Sequence, residues 1–176
     1  MAERREVAVF GGGCFWCTEA IFKMLKGVHS VLPGYSGGKI AHPSYEDVSA
    51  GSTGHAEVVR IEFDPEVITY EDLLTVFFAT HDPTTPNRQG NDVGSQYRSM
   101  VLFTTPEQKE KAQAYLATIK GAVTEVKSFA KFFEAESYHH DYYNRNRNKP
   151  YCQVVINPKL QKVKEKFAAL LMEQSA

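Results

Sequence analysis

Apolar positions along the chain fall into strand-like and helix-like patterns separated by long polar stretches. Val7 to Phe10 is a short apolar run stopped by Gly11-Gly12-Gly13 and reads as a buried strand; Ile21, Met24 and Leu25 then recur at helical spacing and predict a helix over 14–25. Val28 to Tyr35 carries strand residues with a break at Pro33-Gly34, and the stretch to Thr53, rich in Gly, Ser, Pro and Tyr, reads as a long functional loop. From Val59 to Phe63 apolar residues alternate with Arg60 and Glu62 and stop at Asp64-Pro65, the mark of a half-buried strand; Thr69 then caps a helix through about Thr80. A second polar loop, His81 to Arg98, precedes a strand over 100–103. Thr105-Pro106-Glu107-Gln108 then opens a helix as a capping box, with Ala112, Tyr115, Leu116 and Ile119 inward. Val123 to Phe129 is a further strand candidate, Tyr138 to Tyr143 a polar aromatic segment and Val154 to Ile156 a strand. Asn157-Pro158 caps a last helix with Leu160, Val163, Phe167 and Leu170 inward.

Strands thus alternate unevenly with helices, and both ends carry structured patterns. Aliphatic residues occupy the regular segments while Tyr, His, Asn and Gly collect in the loops, so the pattern predicts a sheet with helices on it and an elaborated loop face that carries the chemistry. No repeat, low-complexity block or long Pro/Gly/Ser linker divides the 176 residues, and 1–176 is expected to be a single domain. Lys plus Arg number 20 against 21 Asp plus Glu, a net charge of -1, without the basic excess of a nucleic-acid partner. Apolar runs fall far short of the ~20 residues a membrane span requires. The three cysteines are unlike a disulfide-dense secreted scaffold, and MAERREVAVF has no signal-peptide pattern, so the expectation is a cytoplasmic protein with reduced thiols.

Candidate chemistry centres on Gly12-Gly13-Cys14-Phe15-Trp16-Cys17-Thr18-Glu19, where a cysteine falls between a glycine turn and a helix N-terminus. Free N–H groups and the helix dipole favour a thiolate there, so Cys14 is expected to be a nucleophile of lowered pKa; the bland reading is a buried structural thiol. Cys14 and Cys17 share one side of a first helical turn and could exchange a disulfide. A zinc site would need four ligands from Cys14, Cys17, Cys152 and one of six scattered histidines, with no second spaced pair, so no metal is expected. Phe15 and Trp16 point in different directions, and at least one should wall the site where a methyl or thioether group could rest. Glu57 stands at the start of a strand beside the loop face: an exposed one would make a surface ion pair, a buried one beside Cys14 would have a raised pKa and act as a general acid. Asp92 sits in turn chemistry. His139-His140 leave open a cysteine–histidine hydrolase, and the aromatic pocket alone would suit a non-enzymatic module that binds methionine-containing peptides.

Gly13-Cys14-Phe15-Trp16, Gly54-His55-Ala56-Glu57, Gly90-Asn91-Asp92 through Gln96-Tyr97-Arg98, and Tyr151-Cys152 together resemble, in that order and over nearly the whole chain, the class A peptide methionine sulfoxide reductases. The resemblance implies an α+β two-layer sandwich similar to the ferredoxin-like plait, with long functional loops. It implies reduction of methionine S-sulfoxide, free or in proteins, through a sulfenic acid and then a disulfide. Cys14 would be the nucleophile, Phe15 and Trp16 the methyl pocket, Glu57 the proton donor, and Tyr45, Asp92 and Tyr97 supports for substrate and water. No bound cofactor is implied, with electrons coming from an external thiol such as thioredoxin. Cys17 and Cys152 both remain candidates for the resolving thiol.

Overall fold

The structure, a computed structural model, describes residues 4–172; the expectation of regular structure at both ends lies, for residues 1–3 and 173–176, outside the described residues. The strands are β1 (Glu6–Gly11), β2 (Val28–Ser36), β3 (Ala56–Phe63), β4 (Arg88–Gln89), β5 (Asp92–Val93), β6 (Met100–Phe103), β7 (Glu125–Ser128) and β8 (Phe132–Glu134). The helices are α1 (Phe15–Phe22), α2 (Tyr45–Ser49), α3 (Tyr70–Ala79), α4 (Pro106–Leu116), α5 (Tyr142–Arg145) and α6 (Asn157–Lys166). Six strands form one sheet in the order β7-β6-β1-β3-β2-β8, antiparallel at every pairing but β6–β7, while β4 and β5 make a separate small hairpin.

The pleat sorts side chains to the two faces of the sheet. Ala8, Phe10, Val59, Ile61 and Phe63 join the large core under α1, α3 and α6, whereas Val9, Ala56, Val58, Met100 and Leu102 form a smaller apolar cluster of their own. Alternation along β3 therefore puts Glu57 on the same face as Val59 and Ile61, beneath the helices. The large core rests on aromatic rings: Phe10 stacks on Phe77 with centroids 4.7 Å apart and leans on Phe22 at 5.6 Å, each such pair adding about 0.5–1.5 kcal/mol beyond its buried area. Seven residues of α1 are buried, because the sheet covers one side and α5 and α6 the other.

Several local expectations are corrected. Val154 to Ile156 are not a strand but lie in a π-helical turn, Cys152–Ile156, that runs directly into α6. Cys152, Ile156, Leu160 and Val163 are buried while Val154 is 72% exposed, so the β-branched run follows helical spacing. Since the backbone is already helical at Ile156, Asn157 lies inside the helix and caps nothing. Thr105 does cap α4 through the Gln108 N–H, but the Gln108 amide oxygen accepts from Thr104 and its NH2 donates to the Val7 carbonyl, so the reciprocal box is not formed. Complete capping boxes occur instead at α2 (Ser44 with Asp47) and α3 (Thr69 with Asp72). Helix α2 and the β4–β5 hairpin lie in stretches that read as loop, strand β8 falls between the segments assigned from the sequence, and the helix expected over 14–25 spans only 15–22. The β7 strand is shorter than the 123–129 expected.

Candidate active site

Strand β1 ends at Gly11, and Gly12-Gly13 carry the chain over to Cys14, the N-cap of α1. Gly13 has φ +97, and a Cβ there would stand 2.7 Å from Gln89 Cγ, so only glycine holds this turn. The Cys14 carbonyl accepts from the Cys17 N–H at 3.1 Å, which winds the first turn of α1 and sets the two thiols on one side. Glu57, 1% exposed, reaches the same spot from β3: its Oε1 accepts the Phe15 N–H at 3.2 Å.

Burial, chiefly, pushes the Glu57 carboxyl up to about 8, and negative charge at Asp92 and Cys17 adds to it against the Phe15 hydrogen bond. Cys14 is corrected in direction: burial, then Cys17 and the Glu57 carboxylate, hold its thiol well above the ordinary value, and the hydrogen bond from the Trp16 backbone does not offset them. Cys17 goes the other way. Its hydrogen bond with Cys14, the nearby Lys159 ammonium and the Tyr151 hydroxyl lower it, despite burial. The pocket thus keeps protons on Glu57 and Cys14, and the thiol best stabilised as an anion is Cys17.

Tyr45, on α2, and Tyr97, in the 3-10 turn Ser95–Tyr97, stand within electrostatic reach of this carboxyl. Burial first, then the charge of Glu57, raises both phenols, and Cys14 and Asp92 act on both. The phenols therefore remain hydrogen-bond donors. Asp92, on β5, accepts the Tyr151 hydroxyl at 2.7 Å, and that same hydroxyl lies 3.6 Å from Cys17 Sγ. A cavity of about 400 Å³ opens beside these groups, lined among others by Cys14, Cys17, Asn91, Asp92, Tyr151 and Lys159.

Phe15 is buried against Tyr35 and His139, at 5.7 and 5.0 Å between centroids, while half-buried Trp16 stacks on Tyr142 at 3.7 Å. The Trp16 Nε1–H donates to His139 Nδ1 at 3.0 Å, and His139 also packs on Tyr45 at 4.6 Å. His139 is thereby taken up in the aromatic wall, while His140 bonds the Ala135 carbonyl, and neither ring hydrogen-bonds Cys14 among the described residues. His139 Nδ1 is thus committed to the Trp16 indole rather than to Cys14, which counts against the hydrolase reading. Cys152 is fully buried, its thiol raised by burial and by Cys17, one residue beyond Tyr151. All three cysteines are free. Among the described residues no group of three His, Cys, Asp or Glu side chains stands together as a metal site, and no helix is long and apolar enough to cross a membrane.

The structure thus brings Cys14, Phe15, Trp16, Cys17, Tyr45, Glu57, Asp92 and Tyr97 to one region. Sequence reasoning named Tyr151 only as part of the Tyr151-Cys152 motif and gave it no role, nor did it find the part His139 plays in the wall; the partner of Tyr151, Asp92, is 59 residues away.

Residues 6–171 match the family model described as peptide methionine sulfoxide reductase. The chain is 59% identical over 167 residues to the peptide methionine sulfoxide reductase MsrA of Sulfolobus acidocaldarius, covering 92% of this chain and 95% of that one. Among solved structures, Mxr1 of Saccharomyces cerevisiae in reduced form superposes with a TM-score of 0.77 at 31% identity, covering 85% of this chain and 90% of that one. Mxr1 in complex with Trx2 matches with a TM-score of 0.53 at 23% identity, covering 79% and 85%, a likeness of fold alone.

Proposed function

The chain belongs to the peptide methionine sulfoxide reductase family, and from that premise we propose that it reduces the S epimer of methionine sulfoxide, free or in proteins, with Cys14 as nucleophile and Glu57 as acid. A sulfoxide sulfur is a poor electrophile until its oxygen is protonated or hydrogen-bonded, and an uncharged carboxyl at the nucleophile supplies that proton. The observation that carries this reading is the Glu57 carboxyl, buried beside Cys14 with a pKa pushed up to about 8, and so protonated at neutral pH. Tyr45 and Tyr97, held as neutral phenols, steady the oxygen as charge develops on it. Phe15 and Trp16 receive the methyl group, and Asp92 orients the substrate from the far lip.

The step balances as one two-electron transfer. The Cys14 thiol and the sulfoxide become a Cys14 sulfenic acid and methionine, the oxygen passing from one sulfur to the other. A second thiol then condenses with the sulfenic acid and releases water, and an external dithiol returns both cysteines to the reduced state. We take that dithiol to be a thioredoxin-type protein, with Mxr1, 31% identical to this chain in its reduced form and itself solved with Trx2, as the supporting likeness, and no bound cofactor enters the cycle. The four strands β6-β1-β3-β2, each antiparallel to its neighbour and joined by crossovers carrying α1 and α3, support reading the frame as a ferredoxin-like plait. We read 1–176 as one domain, acting in the cytoplasm.

The test is turnover of separate S and R epimers of a methionine sulfoxide peptide with dithiothreitol, wild type beside Cys14→Ser. Turnover of the S epimer alone, abolished in the variant, is expected. No turnover of either epimer, or turnover that survives in Cys14→Ser, overturns the reading.

A further inference from the structure

Resting on the proposed function, which leaves open how the Cys14 sulfenic acid is resolved, we propose that Cys17 is the resolving thiol and that Tyr151 is its proton relay, passing the Cys17 proton to Asp92. The Tyr151 hydroxyl has one hydrogen and two neighbours. It donates to Asp92 Oδ2 at 2.7 Å, which leaves its oxygen lone pairs free to accept from Cys17 Sγ–H at 3.6 Å. Moving one proton along this line reverses both hydrogen bonds. Cys17 becomes a thiolate that accepts from the phenol, and Asp92 becomes a carboxylic acid that donates to it. No residue has to move, and the phenol is never ionised; burial, with the charges of Cys14, Cys17 and Asp92, keeps it far from losing its proton outright.

Position favours Cys17 over Cys152. Cys17 lines the cavity with Cys14, in the first turn of the same helix, and the charge of Lys159, in the same lining, favours its thiolate. Cys152 is fully buried and lies outside that lining. The ring of Tyr151 stands edge-on to Trp16 at 5.8 Å and 81°, which fixes where its hydroxyl points. In resolution the Cys17 sulfur attacks the Cys14 sulfur, the S–S bond forms as the S–O bond breaks, and hydroxide leaves. The proton received by Asp92 balances that hydroxide as water, so Cys17–SH and Cys14–SOH become the Cys14–Cys17 disulfide and H2O with no outside reactant.

The experiment is a single turnover without reductant, wild type beside Tyr151→Phe, which keeps the ring and removes the hydroxyl. Methionine release is followed by chromatography, and the protein products by dimedone trapping and mass spectrometry. Wild type should give one equivalent of methionine and a Cys14–Cys17 disulfide. Tyr151→Phe should slow disulfide formation about 100-fold more than it slows the methionine burst, and the Cys14 dimedone adduct should accumulate. In a Cys14→Ser background, the pH midpoint for alkylating Cys17 should move up in Tyr151→Phe, with Glu57, Asp92, Cys152 and Lys159 as the other titratable groups facing it. A Cys14–Cys152 disulfide in wild type, an unchanged resolution rate in Tyr151→Phe, or equal loss of burst and disulfide each overturns the proposal. Hydrogen peroxide generates the same Cys14 sulfenic acid without sulfoxide, so resolution is readable even where the reductase reading fails.

Discussion

Two carboxyl groups are buried within reach of helix α1, and the protein treats them differently. Glu19, on the helix, is 2% exposed, and Glu57, on β3 below its N-terminus, is 1% exposed. Burial is the largest cause of an upward shift for each. Glu19 is compensated: both oxygens accept the Asp141 N–H, at 2.9 and 3.1 Å, and the Lys23 ammonium stands 3.4 Å away. Glu57 has a single N–H, from Phe15, and its charged neighbours Asp92 and Cys17 carry the same sign as itself. The difference separates a compensated, structural carboxylate from one that keeps its proton, as the acid proposed for this site must. Desolvation alone does not make an acid; desolvation without a cation does.

The sharpest way to break this comparison is Glu57→Gln. The amide keeps an acceptor for the Phe15 N–H but has no proton to donate, so turnover of the S-sulfoxide should fall by about 10²–10⁴-fold. Stability should change in the opposite sense at alkaline pH. A carboxyl held at about 8 in the native state, against an ordinary value of 4.5, binds its proton more tightly folded than unfolded. Its contribution is therefore complete below about 4.5 and is lost as pH rises through about 8, at up to ~1.4 kcal/mol per pH unit between. Urea melts at pH 5, 7 and 9 should show Glu57→Gln flattening that decline. Wild-type turnover should itself fall as pH climbs past about 8. A Glu57→Gln enzyme within fivefold of wild type would mean that the proton comes from elsewhere.

A smaller effect is expected at Tyr97. Its phenol faces the Glu57 carboxyl and stays protonated, so it can donate to the sulfoxide oxygen as charge accumulates there. Tyr97→Phe removes one donor and leaves Glu57 and Tyr45 in place, and kcat should drop about tenfold with KM nearly unchanged. If KM rises and kcat holds, the hydroxyl binds substrate without favouring the transition state.

How much of this was legible in the sequence depended on whether the signal was local. Cys14 could be singled out because its glycine turn and helix start are contiguous, and β3 because Val59, Ile61 and Phe63 alternate. That alternation also fixes the face on which Glu57 lies. The sign of the Cys14 shift was not legible: helix position argues for lowering, and the opposing burial beside Glu57 comes from a strand 42 residues away. The 154–156 segment was misread because β-branched Val154 and Val155 favour strands in isolation, whereas burial of Cys152 and Ile156 against α1 makes the stretch helical. Strand β8 escaped notice since three residues suffice when β2 offers an edge to pair with. His139 read as a possible base, and its use as an acceptor for the Trp16 indole depends on a contact 123 residues apart.

The gentlest probe lies on the Glu19 side. Lys23→Met removes the ammonium that faces both Glu19, at 3.4 Å, and Asp141 Oδ1, at 3.2 Å, while the aliphatic stem can still pack. Glu19 keeps the Asp141 N–H but loses its cation, so its carboxyl should shift further up and come to resemble Glu57 in its lack of compensation. Lys23 is 36% exposed, so solvent screening holds the cost of the lost pair to about 1–2 kcal/mol. A urea midpoint lowered to that extent, with turnover within twofold of wild type, is expected. The stability loss should be larger at pH 8 than at pH 5, since at pH 5 an uncompensated Glu19 can take up a proton and need no cation. If turnover instead fell as steeply as in Glu57→Gln, the two carboxyls would act as one coupled system through α1, and compensation by Lys23 would be part of the chemistry.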